Sequence, residues 1–474
     1  MSDRFYRFGR ALLNQTIRLY YRRIQVVGRE RIPAAGPAIV VANHPNSSAD
    51  AFLLASQLTR RKVNFIAKDT LTRAPVVGWI LRQFGVVGVA RAMDYKHQRD
   101  LARQQNQAAI ATCVPRLLAG ELIAVFGEGI STDARRLQMI RKGALRFGYA
   151  AERAADFKLG LVWIPVGITY SAKQRFRSDV LIRVGEAFRL GDLHPQPAAH
   201  EQEVLQQGTM LLQREVESLV VNIEREELAD LIDRLADLLG SPGSTLAARV
   251  ERQQRVARAV QYFAVAEPGQ LAGVEQTLCG YERRLAATGL TDDVVRQRHP
   301  TLALWKNLGG VLKSSALMVL NLYGWANSFV PRWAAAIYQA FGRRQPTGRI
   351  TPSGEKELGS TKAALYGTYG GWAGAALAFP LQIYLVTAWA RYSFGSVMGA
   401  VVGLLYALSL IPSWRLFLRR RDILRQRTGE LRAAMRFLVK AAPATRLQHQ
   451  RRQVQRQLRA LLVAYDAEAP RPVE

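Results

Sequence analysis

Two long uncharged stretches near the C-terminal end constrain the fold of this chain most strongly. Residues 363–390 and 392–414 contain no charged side chain, and only Arg391 separates them. Each stretch exceeds the roughly 20 apolar residues that cross the hydrocarbon core of a bilayer. The sequence therefore predicts a transmembrane helical hairpin over residues 362–415. A buried hairpin in a soluble protein is the alternative.

Basic residues on both sides of this hairpin predict its orientation. The 474-residue chain has a formal net charge of +29. Arginines accumulate beside the apolar stretches at Arg343, Arg344, Arg415, Arg419, Arg420 and Arg421. Because such residues favour the cytoplasmic side, both ends of the hairpin are expected there. A net charge of this size also suits nucleic acid, but no nucleic-acid reader motif is present, so we expect a lipid surface instead.

The N-terminal segment is predicted to be an amphipathic helix that occupies most of a region spanning residues 1–30. Within residues 4–24, apolar side chains recur at near-helical spacing with arginines between them. This helix could lie on a membrane or pack on the next domain. The interspersed arginines leave no uninterrupted apolar stretch, so we expect no cleaved targeting peptide.

Residues 31–192 are predicted to form an α/β domain, a mixed sheet flanked by helices. Short apolar runs that read as strands alternate with segments long enough for crossover helices. The runs lie at 38–43, 63–68, 85–90, 122–127, 159–170 and 180–188. His44, Arg91 and Glu128 follow strand runs directly, at the positions where α/β folds build their sites.

The remainder of the chain is predicted to be helical outside one linker. Residues 193–345 form a helical region, and their uncharged stretch 314–331 suits an interfacial or re-entrant segment better than a spanning helix. A linker at 346–361 precedes the hairpin. A basic helical tail, 416–474, follows it.

His44 and Asp50 form the strongest candidate for chemistry. An imidazole can accept a proton from a hydroxyl near neutral pH when a carboxylate holds its other ring nitrogen. Pro45 disfavours helix at the preceding residue, and the polar residues 46–48 suit a turn that folds Asp50 back toward the ring. No serine or cysteine nucleophile accompanies the pair in a recognisable elbow motif. The sequence therefore predicts direct attack by a substrate hydroxyl.

Four sequence blocks resemble those of the glycerolipid acyltransferases, the PlsC-like family of glycerolphosphate and lysophosphatidate acyltransferases. They are NHPNSSAD (43–50), GVVGVAR (85–91), VFGEGIST (125–132) and WIPVGITY (163–170). Four blocks in the family's order are far more specific than one short motif. Two positions depart from the commonest pattern. Asp50 follows His44 by six positions, as in a subgroup of glycerolphosphate or dihydroxyacetone-phosphate acyltransferases, and Gly127 replaces the usual proline.

The resemblance implies roles for individual residues. His44 would be the general base, oriented by Asp50. The implied substrate-binding residues are Asn43, Arg91, Glu128 and Gly129. Arg91 helps to hold the acceptor phosphate, which suits the permanently charged, bidentate arginine side chain. Glu128 and Gly129 shape the same phosphate site, and Pro165 lines the acyl pocket.

The resemblance implies a membrane-bound O-acyltransferase of phospholipid synthesis. It would move a fatty acyl group from acyl-CoA or acyl carrier protein to glycerol-3-phosphate or a related phosphorylated glycerol. Lysophosphatidate is the alternative acceptor, and a catalytically silent lipid-surface binding protein is the alternative function. The expected partners are the bilayer, the thioester donor and the phosphorylated acceptor. We expect no cofactor. We also expect no metal, since Cys113 and Cys279 match no metal-ligand spacing.

Overall fold

The chain divides into two compact units in a computed structural model of the protein. The structure describes residues 3–73, 75–89, 99–132, 134–173, 175–241, 244–297, 299–319, 321–344 and 360–468. The first unit comprises mainly residues 3–226. The second comprises mainly residues 251–344 and 365–468.

The first unit is built on a seven-stranded sheet. Its strands are β1 (Arg23–Val27), β2 (Ala38–Ala42), β3 (Val63–Lys68), β4 (Val87–Val89), β5 (Leu122–Phe126), β6 (Val162–Tyr170) and β7 (Asp179–Val184). Their order across the sheet is β1-β7-β6-β2-β5-β3-β4. Neighbouring strands run parallel, except that β6 and β7 are antiparallel. The six strands predicted from the sequence are therefore present.

Helices cover both faces of this sheet. They are α1 (Asp3–Tyr20), α2 (Ser48–Leu53), α3 (Asp69–Thr72), α4 (Pro75–Gln83), α5 (Arg99–Leu118), α6 (Gly143–Ala154), α7 (Leu190–Leu193) and α8 (Glu201–Leu219). In β2, Ile39 and Val41 face a core shared with α5, α6 and α8. The alternate residues Ala38, Val40 and Ala42 face a second core shared with α1 and α2. This alternation follows from the two-residue period of a strand and confirms the predicted α/β class.

The first strand was not predicted from the sequence. Residues 23–27, which the sequence assigned to the N-terminal helical region, form edge strand β1 and pair in parallel with β7. Two arginines precede or begin this strand, and both bind the carboxylate of Asp179, with closest distances of 2.7 Å for Arg22 and 2.8 Å for Arg23. Burial favours the neutral acid, but these two cations outweigh it and lower the pKa of Asp179. The strand was not recognised in the sequence because two arginines stand at its start. Their reason for being there, the buried carboxylate of Asp179, is visible only in the structure.

The second unit is helical. Its helices are α9 (Ala229–Leu238), α10 (Leu246–Ala266), α11 (Pro268–Thr288), α12 (Asp292–Val295), α13 (Pro300–Val319), α14 (Leu322–Asn327), α15 (Phe329–Arg344), α16 (Ser360–Phe394), α17 (Ser396–Val439) and α18 (Ala441–Glu468). The buried Arg451 of α18 binds Asp292 Oδ1 at 2.8 Å and the carbonyl of Leu238 at 2.8 Å. This side chain thus joins α18 to α12 and to the end of α9.

Two helices of the second unit are long and apolar enough to cross a membrane. They comprise Gly370–Phe394 of α16 and the whole of α17. Gly395 lies between them, and a Cβ on Gly403 of α17 would overlap the Thr387 side chain of α16, so the two helices pack together as the expected helical hairpin. In contrast to the predicted boundary at residue 415, α17 continues without a break to Val439.

Helix α6 approaches the sheet closely at one glycine. A methyl group on Gly148 would lie 2.6 Å from Leu161 Cδ2 and 2.9 Å from Ile39 Cδ1, and it would also overlap Trp163. All three neighbours are fully buried. In the same helix, a methyl group on Gly143 would meet no atom within 4 Å.

We expect Gly148→Ala to lower the free energy of unfolding by about 1–3 kcal/mol, because a packed core resists an added methyl group. Gly143→Ala is the matched control and should change stability by less than about 1 kcal/mol. Thermal unfolding of the two full-length variants measures both effects. Equal midpoints for the two variants would contradict the packing described for α6.

Candidate active site

The carboxyl ends of three neighbouring strands bring the candidate residues together. Strand β2 lies between β5 and β6 and runs parallel to both, with Ala42 opposite Phe126 and Val166. The residues that follow β2 and β5 therefore emerge at the same edge of the sheet. This register places His44 beside Glu128.

Asn43 fixes the end of β2 to β6. Its side-chain oxygen accepts a hydrogen bond from the backbone N–H of Ile168 at 2.7 Å. Its side-chain nitrogen donates to the carbonyl of the same residue at 3.1 Å. The Asn43 amide is buried and is engaged by backbone at both ends. The geometry gives Asn43 a positioning role, and its predicted contact with substrate stays a prediction.

The Asp50 carboxylate is the centre of the site. It is completely buried, and His44 Nδ1 lies 3.0 Å from its Oδ2 atom. The backbone N–H of Asn46 donates to the same oxygen at 2.7 Å. The Tyr170 hydroxyl donates to Oδ1 at 2.5 Å. Three hydrogen bonds offset the cost of burying this group and hold its orientation toward the imidazole.

A strained turn makes the six-residue spacing between His44 and Asp50 possible. Ser47 has φ 50°, in the left-handed region that residues with a side chain rarely adopt. Ser131, in the loop that follows β5, holds this turn. Its Oγ accepts from the backbone N–H of Ser47 at 3.1 Å and donates to the carbonyl of His44 at 2.6 Å. Helix α2 begins directly after the turn and carries Asp50 in its first turn.

The imidazole of His44 is packed on one face and partly open to solvent. Its ring stacks on Phe126 with centroids 3.9 Å apart and an interplanar angle of 13°. About one fifth of the side chain is exposed, 19%. Because Nδ1 is engaged by Asp50, Nε2 is the nitrogen that remains to act on a hydroxyl.

Glu128 braces the two loops of the site from within. Its Oε1 accepts from the backbone N–H of His44 at 2.5 Å, and its Oε2 accepts from that of Gln138 at 3.0 Å. Burial raises the pKa of Glu128 to about 7, although these two N–H donors partly offset the effect. The carboxyl group therefore binds backbone N–H groups, and Glu128 has a positioning role.

Gly129 and Arg141 form the part of this edge that can meet an anion. Gly129 has φ 67°, a conformation that glycine adopts without strain. The Arg141 side chain passes over it, since a Cβ on Gly129 would lie 3.3 Å from Arg141 Nε. Arg141 Nε also donates to the carbonyl of Glu128 at 3.2 Å. Arg141 is exposed, so it places a permanent positive charge beside the turn at Gly129.

The sequence indicated some of these residues and missed the roles of others. The structure brings His44, Asp50, Glu128 and Gly129 to one edge, whereas Arg91 lies outside the described residues. Tyr170 ended the fourth block, but its hydroxyl's partner could not be read from spacing. Missed residues were Phe126, Ser131 and Arg141. The basic run that includes Arg135, Arg136, Arg141 and Lys142 was the available signal for Arg141.

These features define an α/β domain with a histidine–aspartate pair at the carboxyl edge of its sheet. The sequence model of the family described as Acyltransferase matches residues 23–169, which include His44, Asp50 and Glu128. This part of the chain is therefore similar to domains of the family described as Acyltransferase.

Similar proteins include plant enzymes and mycobacterial proteins. The 1-acyl-sn-glycerol-3-phosphate acyltransferase LPAT1 of Arabidopsis thaliana is 30% identical over 165 residues, which are 34% of this chain and 41% of the relative. The corresponding enzyme BAT2 of Brassica napus is 28% identical over 165 residues, with 34% and 42% covered. The alignments therefore span about two fifths of these relatives. The crystal structure of the 1-acyl-sn-glycerophosphate acyltransferase PlsC from Thermotoga maritima aligns with 46% of this chain and 83% of its own, at 22% identity and a TM-score of 0.33.

The pKa of Glu128 generates a test by Glu128→Gln. Because the folded-state pKa is about 7 and the ordinary value is 4.5, the folded chain holds a proton that the unfolded chain releases. The resulting stability is fully present below about pH 4.5 and is lost as the pH rises through 7. The loss is at most about 3 kcal/mol.

Glutamine does not titrate, so the variant lacks this change. The unfolding midpoint of the wild type should therefore fall relative to that of Glu128→Gln between pH 5 and pH 8. Thermal unfolding of both full-length proteins across this range measures the difference. Parallel curves would show that Glu128 has no raised pKa in the folded protein.

Proposed function

We propose that this chain is a membrane-bound O-acyltransferase that moves a fatty acyl group from a thioester to a hydroxyl of a phosphorylated glycerol. The observation that carries the proposal is the pairing of His44 with the buried Asp50 at 3.0 Å, within an acyltransferase-family domain. A completely buried carboxylate aimed at a partly exposed imidazole supports general-base chemistry. A silent binding protein would not need that arrangement.

The proposed reaction begins with the acceptor hydroxyl beside Nε2 of His44. As the hydroxyl oxygen attacks the thioester carbonyl carbon, its proton passes to Nε2, and Asp50 stabilises the resulting imidazolium through Nδ1. The carbon–sulfur bond then breaks. The thiolate leaves as the new oxygen ester forms, and the proton on His44 passes to the thiolate or to water. His44 ends neutral, ready for another turnover.

The acceptor phosphate would bind beside the turn at Gly129. Arg141 is the described cation in contact with that turn, and the resemblance adds Arg91 from the residues after β4. A pair of arginines suits a phosphate because each guanidinium can donate two parallel hydrogen bonds. Glu128 would set the position of the turn through backbone contacts and would not touch the substrate.

Three acceptors are candidates: lysophosphatidate, glycerol-3-phosphate and dihydroxyacetone phosphate. The Arabidopsis and Brassica relatives are named for 1-acyl-sn-glycerol-3-phosphate as their substrate, which supports lysophosphatidate. The six-residue spacing between His44 and Asp50 resembles the glycerolphosphate or dihydroxyacetone-phosphate subgroup and supports the smaller acceptors. Acyl-CoA and acyl carrier protein are both suitable donors. The alternative binding function would leave every thioester intact.

The proposed membrane attachment rests on α16 and α17. Both are long and apolar enough to cross a bilayer, and many of their apolar side chains are exposed, including Leu381, Leu385 and Leu404. An exposed surface of this kind fits lipid. The basic residues beyond both ends of the hairpin would keep the catalytic domain on the cytoplasmic side.

His44→Ala should lower acyl transfer by about 10²–10⁴-fold, because the variant lacks the general base. The measurement uses the purified full chain, labelled acyl-CoA or acyl carrier protein, and glycerol-3-phosphate, dihydroxyacetone phosphate or lysophosphatidate as acceptor. Product identification selects the acceptor. The exposed His449 offers a control, and His449→Ala should retain full activity. Unchanged turnover in His44→Ala would refute the role of the base, and no thioester consumption by the wild type would favour the binding function.

Tyr170→Phe tests whether the hydroxyl on Asp50 positions the catalytic pair. Loss of a hydrogen bond to a charged group should lower kcat by roughly 10-fold, with little change in the KM for the acceptor. Tyr149→Phe is the matched control, since its buried hydroxyl donates to the carbonyl of Pro197 at 3.0 Å, away from the site. If the two variants lose stability equally and keep equal kcat values, Tyr170 has only a structural role.

A further inference from the structure

The last part of the helical region, which contains α14 and α15, has an apolar exterior. Residues 314–331 contain no charge, and α14 and α15 expose large apolar side chains, including Trp325, Phe329, Trp333 and Phe341. The Trp333 side chain, for example, is 61% exposed. An apolar, aromatic-rich exterior of this kind suits lipid better than water. The contacts of these two helices show how deep they would lie.

Helix α14 packs against the apolar half of α17. The Tyr323 hydroxyl lies 2.5 Å from Ser409 Oγ. Gly324 packs directly on the backbone carbonyl of Ser413, where a side chain would not fit. Both partners lie within the uncharged part of α17. The α14 helix therefore runs beside the proposed membrane span.

The turn from α14 to α15 lies between the two proposed spans. Asn327 Oδ1 accepts a hydrogen bond from the Tyr406 hydroxyl of α17 at 2.5 Å. Its backbone carbonyl lies 3.5 Å from Nε2 of Gln382 in α16. Ser328, the next residue, is completely buried. A polar turn held in this way satisfies its backbone and side-chain groups without water, as a membrane interior requires.

After the turn, α15 returns along α16 in the opposite direction. A Cβ on Gly374 would lie 2.7 Å from Ala334 Cβ and 3.1 Å from Pro331 Cα. A Cβ on Gly370 would lie 2.5 Å from Tyr338 Cβ. Two glycines at this spacing allow close approach of the helices, a common device of helix packing in membranes. The pairing takes α15 progressively away from Gly395, the tip of the hairpin.

The distance of each contact from the tip of the hairpin follows from the helical rise per residue, and it gives the depth of that contact in the bilayer. Tyr406 lies eleven residues beyond Gly395, which is about 16 Å at 1.5 Å per residue. Gly374 lies on the other helix at about 31 Å from the same tip. Because the hydrocarbon core is about 30 Å thick, a tip at the far face would put Asn327 near the midplane. Gly374 would then lie at the near face, and its partners on α15, about 6–10 Å of helical rise beyond Asn327, would lie just inside that face.

The first charge after the uncharged stretch fits this depth. Arg332 follows Pro331 just inside the near face, where it donates to the carbonyls of Ser328 and Trp325 at 3.2 and 3.0 Å. Its guanidinium also lies 5.6 Å from the ring centroid of Trp325 and 5.4 Å from that of Phe417. These contacts are those of an arginine at a membrane interface.

We propose that residues 322–344 form a re-entrant hairpin that enters the same bilayer as the two spans, turns at Asn327–Ser328 near the midplane and leaves on the side it entered. The hairpin rests on the proposed membrane attachment. The exposed apolar side chains of the hairpin would contact the acyl chains of the bilayer. Of the two arrangements compatible with the sequence, interfacial and re-entrant, the contacts with Tyr406 and Gln382 select the second.

Spin labels of graded depth test the hairpin in the full chain, reconstituted in phosphatidylcholine–phosphatidylglycerol vesicles. Cys279→Ala removes the more accessible native thiol, while Cys113 is buried with its pKa raised to about 11 by burial and stays unlabelled. Single cysteines then replace Phe329, Trp333 or Phe341. Leu404→Cys provides the control for depth within a span, and Val439→Cys provides the aqueous control.

The measured quantity is the accessibility of each label to oxygen relative to a water-soluble nickel complex, which rises with depth. The ratio should increase from position 341 to 333 to 329 and approach the Leu404→Cys value at 329. Equal ratios at the three positions, with Leu404→Cys deep, would mean an interfacial helix and overturn the hairpin alone. A Leu404→Cys label as accessible to nickel as Val439→Cys would overturn the membrane attachment as well.

Discussion

The burial of one carboxylate governs the architecture of the catalytic edge. Asp50 is completely excluded from solvent, so its charge requires nearby donors. Those donors come from the turn after β2, from the imidazole of His44 and from Tyr170 at the end of β6. The same contacts that make the buried charge tolerable also fix the ring that would act on substrate. The stability of this edge and the proposed chemistry therefore depend on one group.

The sheet provides the rigid frame for this arrangement. Parallel pairing of β2 with β5 and β6 brings three loops to one edge, and each loop is tied to another through backbone groups. Asn43 ties β2 to β6, whereas Glu128 and Ser131 tie the loop after β5 to the turn after β2. Side chains that bind backbone account for most of the site. Under the proposed function, few groups would then be left to meet substrate, chiefly His44, Gly129 and Arg141 among the described residues.

The helical unit combines two surfaces that suit different solvents. Toward its C-terminal end, charged side chains such as Arg451 are buried against acids and carbonyls. Along α14 to the first half of α17, large apolar side chains are exposed instead. The uninterrupted α17 belongs to both parts, because it continues from the uncharged stretch into the basic region. In the proposed membrane attachment, this continuous helix would connect a lipid-embedded segment directly to a water-exposed one.

Local sequence patterns predicted the helices and strands that are marked by runs of consecutive residues. Six strands were evident as short apolar runs, and the C-terminal hairpin was evident from its lack of charge. Strand β1 was not evident, because its arginines are explained only by the buried Asp179 about 156 positions later in the chain. The roles of Tyr170 and Arg141 were hidden for the same reason. Their partners are distant in sequence and adjacent only after the strands pair.

The sequence by itself determined the α/β class, the position of the histidine–aspartate pair and the apolar character of the last helices, since periodicity, spacing and absence of charge are local properties. Tertiary structure alone decided which groups hold Asp50 and why Asn43 and Glu128 form hydrogen bonds with the backbone. It also decided where the turn at Asn327 lies between two helices. Those outcomes depend on strand order and helix packing. Both arise from contacts between residues far apart in the chain, which no local pattern records.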